Sequence, residues 1–269
     1  MVPVFAYGGA VGVIALQLMP TFLDIVTYRN ESRPRKLLVE LEVFVDEQKY
    51  FYCIVAIVVG GYIVVTTAMI ATMSLSVILV QHACCFFKLA SHRLEYLLHH
   101  ASSRDYKDDR KIYMQLVDAV DMHTKAYGLV EYLKTDFSIP YIIMIPLGVL
   151  STSINLFRLF QAKKFIDNPE ELIGTALFIV AHFIYMFLAN YAGQMITDHS
   201  TDIFNKTYSI PWYEASVKVQ KNILFMAQRS RKECTLCACS LFTASLEGFS
   251  MLFKTSTSYF TVMYSVSNE

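Results

Sequence analysis

The sequence predicts an all-α fold, a polytopic membrane helix bundle with five transmembrane helices and cytoplasmic helical extensions. Three observations predict it. Residues Tyr50 to Phe87 form 38 consecutive positions without Asp, Glu, Lys or Arg. At about 1.5 Å per residue that helix reaches roughly 57 Å, beyond the roughly 30 Å of a bilayer's hydrocarbon, so it crosses and continues. The composition agrees, with 55% hydrophobic and 17% charged residues over 269 positions and a mean hydropathy of +0.40, far to the apolar side of an ordinary soluble domain. Finally, the apolar segments alternate with loops that differ in positive charge, which assigns the loops to opposite sides of a membrane.

The elements follow in chain order within a single domain, 1–269. The spans are 4–23, ended by Pro20 and Asp24; 51–87; 137–157; 172–197; and 235–266, interrupted by Glu247 and Lys254. Because lipid offers no hydrogen-bond partners, each is expected to be helical, the β-branched run Ile63-Val64-Val65-Thr66-Thr67 included, and Pro140, Pro146 and Gly60-Gly61 are tolerated. No charged leader and cleavage site mark the first span as a removed signal peptide.

Orientation comes from the loops. Fourteen Lys and Arg lie in the segments 88–136 and 198–234, against eight in the two other loops. The richer pair is assigned to the cytoplasm, with the amino end inside and the carboxyl end outside. The sequon Asn30-Glu31-Ser32 then falls outside, where it is expected to carry a glycan, and Asn205-Lys206-Thr207 falls inside and is expected to stay bare.

The cytoplasmic segments carry helical patterns of their own. Leu94, Leu97 and Leu98, then Ile112, Leu116, Ala119, Val120 and His123 recur at helical spacing, with a turn signal at Ser102-Ser103-Arg104-Asp105. Residues 208–231 place Trp212, Val219, Ile223 and Met226 on one face and Lys218, Lys221 and Gln228 off it. A helical layer beneath the membrane is expected.

Lys plus Arg equals Asp plus Glu at 23 each, so no overall field calls for nucleic acid. The six cysteines do not form a disulfide framework: Cys53, Cys84 and Cys85 share one apolar run and Cys234, Cys237 and Cys239 begin another. The pair Cys234-Thr235-Leu236-Cys237, with no second pair or nearby His, gives no metal site. None of the seven histidines falls in a metalloprotease helix, and nucleophile elbows, phosphate loops and paired-acid constellations are missing from the sequence. The expectation is a non-enzyme without cofactor or metal.

Polar groups within spans carry more information, because they are costly in lipid and face a cavity, a pathway or a partner. These are His182, Tyr185 and Asn190 in the fourth span, and Glu247 and Lys254 in the fifth. On the last helix Lys254, Ser258, Val262 and Ser265 or Val266 recur every three to four residues, giving one stripe of small and polar groups with an aliphatic pair near its outer end. Such a helix either lines a pore closed by a hydrophobic constriction or packs against another helix through its Ser and Thr.

The carboxyl third supplies a resemblance. Tyr208-Ser209-Ile210-Pro211-Trp212-Tyr213, Gln228-Arg229-Ser230-Arg231 and the run Leu241 to Phe260 closely resemble the carboxyl end of insect odorant receptors. The stretches 30–35 and 44–52 resemble the second extracellular loop and fourth-helix entry of hymenopteran members. The resemblance covers essentially the whole chain. It implies that the five spans correspond to helices three to seven of a seven-helix receptor, the first two being absent through a truncated gene model, a splice form or a true fragment. It also implies a cytoplasmic amino end, which the loop charges give independently.

What the resemblance implies about function is specific. Members act as odorant-binding subunits that join a shared co-receptor in a heterotetramer, forming a non-selective cation channel in the plasma membrane of olfactory neuron dendrites. Its hydrophobic gate falls on Val262 and Val266, with Ser265 between them; Lys254 departs from the small pore residue of the co-receptor. Tyr62, Thr66 and Met69 with Phe178, His182 and Tyr185 are the candidates for the pocket of a small volatile ligand. Trp212 and Tyr213 belong to the expected inter-subunit anchor. The alternatives are a truncated, non-conducting receptor fragment and a related gustatory-type chemoreceptor.

Overall fold

The computed structural model describes residue 11 and residues 50–102, 109–161, 169–209, 211–214, 216–238 and 242–268. Apart from Val11, the expected first span lies outside the described residues, as do the sequon at Asn30, the turn residues 103–105 and Cys239. The elements are α1 (Phe51–Ser102), α2 (Asp109–Phe160), α3 (Pro169–Ser209), a 3-10 turn (Trp212–Glu214), α4 (Val217–Ser230), β1 (Cys237–Ala238), β2 (Phe242–Thr243) and α5 (Leu246–Asn268).

Helices α1 and α2 are 52 residues each and α3 is 41, each continuing past its apolar stretch as the sequence predicts. All three contain a stretch long and apolar enough to cross a membrane. Pro140 and Pro146 sit inside α2. Helix α5, with 23 residues, is long enough to cross, but its Ser and Thr content makes it less apolar, and it is not among those three.

The described chain forms two compact units, one up to Leu75 together with Asn155–Ala181, the other Ser76–Ile154 with His182–Glu269. In the first, large apolar side chains such as Ile57, Val64, Val65, Leu177 and Val180 are more than half exposed. An aqueous surface does not sustain so many; hydrocarbon does.

The second unit holds the main core. Phe87 and Leu94 of α1, Leu116 and Leu133 of α2, Ile196 and Ile203 of α3, and Val219, Ile223 and Met226 of α4 pack together and are almost fully buried. Each such side chain contributes about 1.5–3 kcal/mol relative to exposure. This is the expected helical layer: Leu94, Leu97, Leu116, Ala119 and His123 are buried as their spacing predicts, and Ile112 and Val120 pack at its margin. Polar contacts fix the helix order. Ser91 donates to Asp202 at 2.6 Å, Arg93 pairs with Asp118, and Lys206 reaches Asp202 at 3.3 Å and Glu95 at 3.5 Å. Helix α4 docks through its apolar stripe and is flanked by two cations over rings, Lys218 on Tyr113 at 4.2 Å and Arg229 on Tyr127 at 4.4 Å.

Two expectations about helix boundaries need correction. Trp212 does not share the apolar face of Val219, Ile223 and Met226; it lies in the separate 3-10 turn and is 49% exposed, because Pro211 ahead of it and the break at Ser216 prevent one continuous helix. Among the described residues of the stretch 235–266, the helix begins at Leu246. Before it, Cys237 pairs with Thr243 and Ala238 with Phe242 in a short antiparallel hairpin, closed by Ala244 N–H to the Leu236 carbonyl at 2.9 Å. Lipid does not surround this segment on all sides: polar groups of α3 bond the backbone at Cys234 and Ser245, so it need not be helical throughout.

Candidate functional site

The last helix starts where α3 holds it. Ser245 caps α5, its hydroxyl accepting the Gly248 N–H at 3.0 Å. The Ser245 N–H is in turn bonded to Asn190 Oδ1 at 3.3 Å, and the Leu246 N–H to Gln194 Oε1 at 3.3 Å. Asn190 is 1% exposed, and its amide also donates to the Met186 carbonyl at 2.9 Å. One helical turn on, Thr197 and Ser200 take the linker: Ser200 Oγ accepts the Cys234 N–H at 3.1 Å, and Thr197 donates to the Cys234 carbonyl at 3.5 Å. Asn190 thus closes backbone bonds, which explains a costly polar residue inside the fourth span.

Two glycines permit this closeness. A Cβ on Gly193 would stand 2.2 Å from the Ala244 carbonyl oxygen, and one on Gly248 would stand 2.5 Å from the Thr243 oxygen. Around the contact, Val149, Met186, Phe242 and Leu252 form a second, smaller core, extended by ring contacts between Phe187 and Phe249 at 5.5 Å and between Phe183 and Phe253 at 5.2 Å. Further along α5, Ser153 of α2 donates to the Ser256 carbonyl at 3.0 Å. Ser153 and Ser256 are both buried.

Only one narrow stripe of α5 is buried, Gly248, Leu252 and Ser256. The stripe singled out from sequence is turned away from it: Lys254, Ser258, Val262, Ser265 and Val266 are all exposed, as is Glu247, with Val262 at 58% and Val266 at 70%. Among the described residues, no helix covers this face.

The six pocket candidates divide between the two units. Tyr62, Thr66, Met69 and Phe178 belong to the first, where Tyr62, Met69 and Phe178 are exposed and Thr66 is half-buried. His182 and Tyr185 belong to the second and are half-buried. The His182 imidazole rests on α2 at Gly148, where an added Cβ would come 3.3 Å from Nε2. Trp212 and Tyr213 meet edge to face at 6.1 Å and are both exposed.

An open cleft of about 540 Å³ lies elsewhere, along the far half of α3, lined by Gln194, Thr197, Asp198, Asp202 and Glu233 among others. Its walls are acidic and amide-bearing, which suits water and cations better than an apolar ligand. None of the predicted pocket residues lines it. The sequence reading also missed Gly193, Gln194, Ser153 and Ser256 as determinants of the last helix. Of the α3 group only Asn190 was signalled, as a polar residue in an apolar run.

Long apolar helices that run on into a buried helical layer, together with the hydroxyl-rich last helix, define a multi-pass membrane protein. A family model described as 7tm odorant receptor matches residues 9–257. The chain belongs to the odorant receptor family. It is similar to odorant receptor 9a of Drosophila melanogaster, 24% identical over 77% of this chain and 50% of that protein. It is also similar to the odorant receptor coreceptor of Harpegnathos saltator, 27% identical over 44% of this chain and 25% of the other. The chain spans half or less of the length of these curated relatives. Among solved structures, the olfactory receptor OR5 of Machilis hrabei in complex with eugenol shares the fold, with a TM-score of 0.64 and 16% identity over 97% of this chain and 65% of that one.

Proposed function

We propose that this chain acts as the odorant-binding subunit of a ligand-gated, non-selective cation channel in the plasma membrane, assembled with an odorant receptor co-receptor. The observation that carries the proposal is the face of α5 that the described helices leave uncovered. In a lone chain a stripe with Lys254, Ser258 and Ser265 facing hydrocarbon is unfavourable. Around a shared axis the same stripe faces water, and Val262 and Val266 narrow it with apolar side chains that close a pore by dewetting. The exposed Trp212 and Tyr213, on the side of the buried helical layer, suit a contact between subunits.

The ligand is a small volatile molecule, and Tyr62, Thr66, Met69, Phe178, His182 and Tyr185 are the proposed contacts. Aromatic and Met side chains bind such molecules by dispersion and shape, with His182 and Tyr185 supplying hydrogen bonds. Binding opens the channel by favouring the conformation with greater ligand affinity. The test is cation current on co-expression with a co-receptor, using a panel of volatile organic compounds that includes eugenol. Evoked current that the co-receptor alone does not give supports the proposal. Normal surface delivery of both chains with no added current across the panel overturns it.

A further inference from the structure

Among the described residues, helix α5 is hydrogen-bonded to other helices at two levels. At its start Asn190 and Gln194 accept the N–H groups of Ser245 and Leu246. Farther along, Ser153 donates to the carbonyl of Ser256. After that point Ser258, Val262, Ser265 and Val266 are exposed. The backbone around the second level has a particular chemistry: Thr255, Ser256, Thr257 and Thr261 donate their hydroxyls to the carbonyls of Met251, Leu252, Phe253 and Thr257. Hydroxyls bonded back to the preceding turn compete with the backbone ladder and let a helix bend.

The Ser153 hydroxyl has one proton and two acceptors within reach, the Ser256 carbonyl at 3.0 Å and the Val149 carbonyl of its own helix at 2.7 Å. If α5 moves away, the proton stays satisfied on Val149. Losing the contact between helices therefore leaves no orphaned donor, which makes this bond a releasable tether. The same helix α2 carries Gly148, against which His182 rests, on the turn before Ser153.

We infer that Ser153 is a positioning residue for gating: its bond to the Ser256 carbonyl holds the outer part of α5 against α2, and α5 opens by releasing that bond and bending at residues 255–258. This rests on the reading of α5 as the gate-bearing helix. Ser153→Ala removes the tether without adding bulk. Ser153→Thr restores a hydroxyl.

The test reads the position of the helix directly. Val262→Cys is placed in the chain, alone and with either Ser153 substitution, and surface copies are treated with a membrane-impermeant methanethiosulfonate. Ser153→Ala is expected to speed modification about 2- to 10-fold, the factor that one neutral hydrogen bond supports. Ser153→Thr is expected to return it to the original rate. Equal rates with Ser153 and Ser153→Ala, at equal surface amounts, overturn the tether. Faster modification with Ser153→Ala in cells that show no evoked current sinks the channel proposal and leaves the tether standing.

Discussion

Gly193 and Ala244 touch backbone to backbone: a Cβ on Gly193 would fall 2.2 Å from the Ala244 carbonyl oxygen and 2.6 Å from its Cβ. The hairpin leading into the last helix is thereby seated directly on α3. Gly193→Ala has no room, since the obstructing atoms are backbone and cannot rotate aside. We expect it to lower stability by about 1–3 kcal/mol, seen as earlier loss of the monodisperse peak when detergent-solubilised protein is heated. Gly60→Ala, where no atom lies within 4 Å of the new methyl, is expected to leave that profile unchanged.

Asn190→Leu retains apolar volume but removes the acceptor of the Ser245 N–H and the donor to the Met186 carbonyl. Leaving the part-buried Ser245 N–H at the start of α5 unpaired is expected to cost about 1–3 kcal/mol. Thermal melting of purified protein measures it, and a variant as stable as the original would remove Asn190 from the support of the last helix.

Cys234 is buried in the linker, and burial, reinforced by the nearby Glu131 carboxylate, pushes its thiol up to about 12 from 9.0. Its proton is bound more tightly in the folded state than in the unfolded one. That contribution to stability is therefore complete below about pH 9 and is lost as pH rises from 9 toward 12. Thiolate is the reactive form, so iodoacetamide is expected to leave Cys234 unmodified at pH 8 in folded protein and to alkylate it after denaturation. Peptide mass spectrometry distinguishes the two, and rapid labelling of folded protein at pH 8 would contradict the placement.

Ile223→Ala opens a cavity where α4 docks and is expected to cost about 2–5 kcal/mol. By contrast Arg229→Gln loses the cation over Tyr127, about 0.5–1 kcal/mol at a partly exposed site. The ratio of the two losses, taken from denaturant or thermal unfolding, measures how far apolar burial rather than charge holds the helical layer together.

The sequon at Asn205 is expected to carry no glycan, because the loop charges place it inside. In the fold Thr207 of that sequon is fully buried and donates to the Ile203 carbonyl at 2.7 Å. A mass shift on deglycosylation that disappears with Asn205→Gln would invert the assigned topology.

The helical layer was legible because its signal is local. Leu94, Leu116, Val219, Ile223 and Met226 repeat at the helical period and are buried where that period puts them. The beginning of the last helix was not legible. Thr235 to Ser245 is as apolar as a span on average, and only the amides and hydroxyls of Asn190, Gln194, Thr197 and Ser200, some 35 to 55 residues away in sequence, let it form a hairpin. The pocket candidates show the same limit: their signal is chemistry within one helix, and nothing in the sequence ties His182 to its neighbour Gly148.

By itself the sequence determined the long apolar helices, their continuation into a buried layer, the likeness to odorant receptors and the polar stripe of the last helix, because hydropathy and helical period are written within a few turns of chain. Only the tertiary structure decided which face of that helix is covered, where the helix begins, and that Ser153 and Asn190 are what hold it. Those depend on backbone atoms meeting across helices, and the donors and acceptors involved are generic until the fold brings them within 3.3 Å or less.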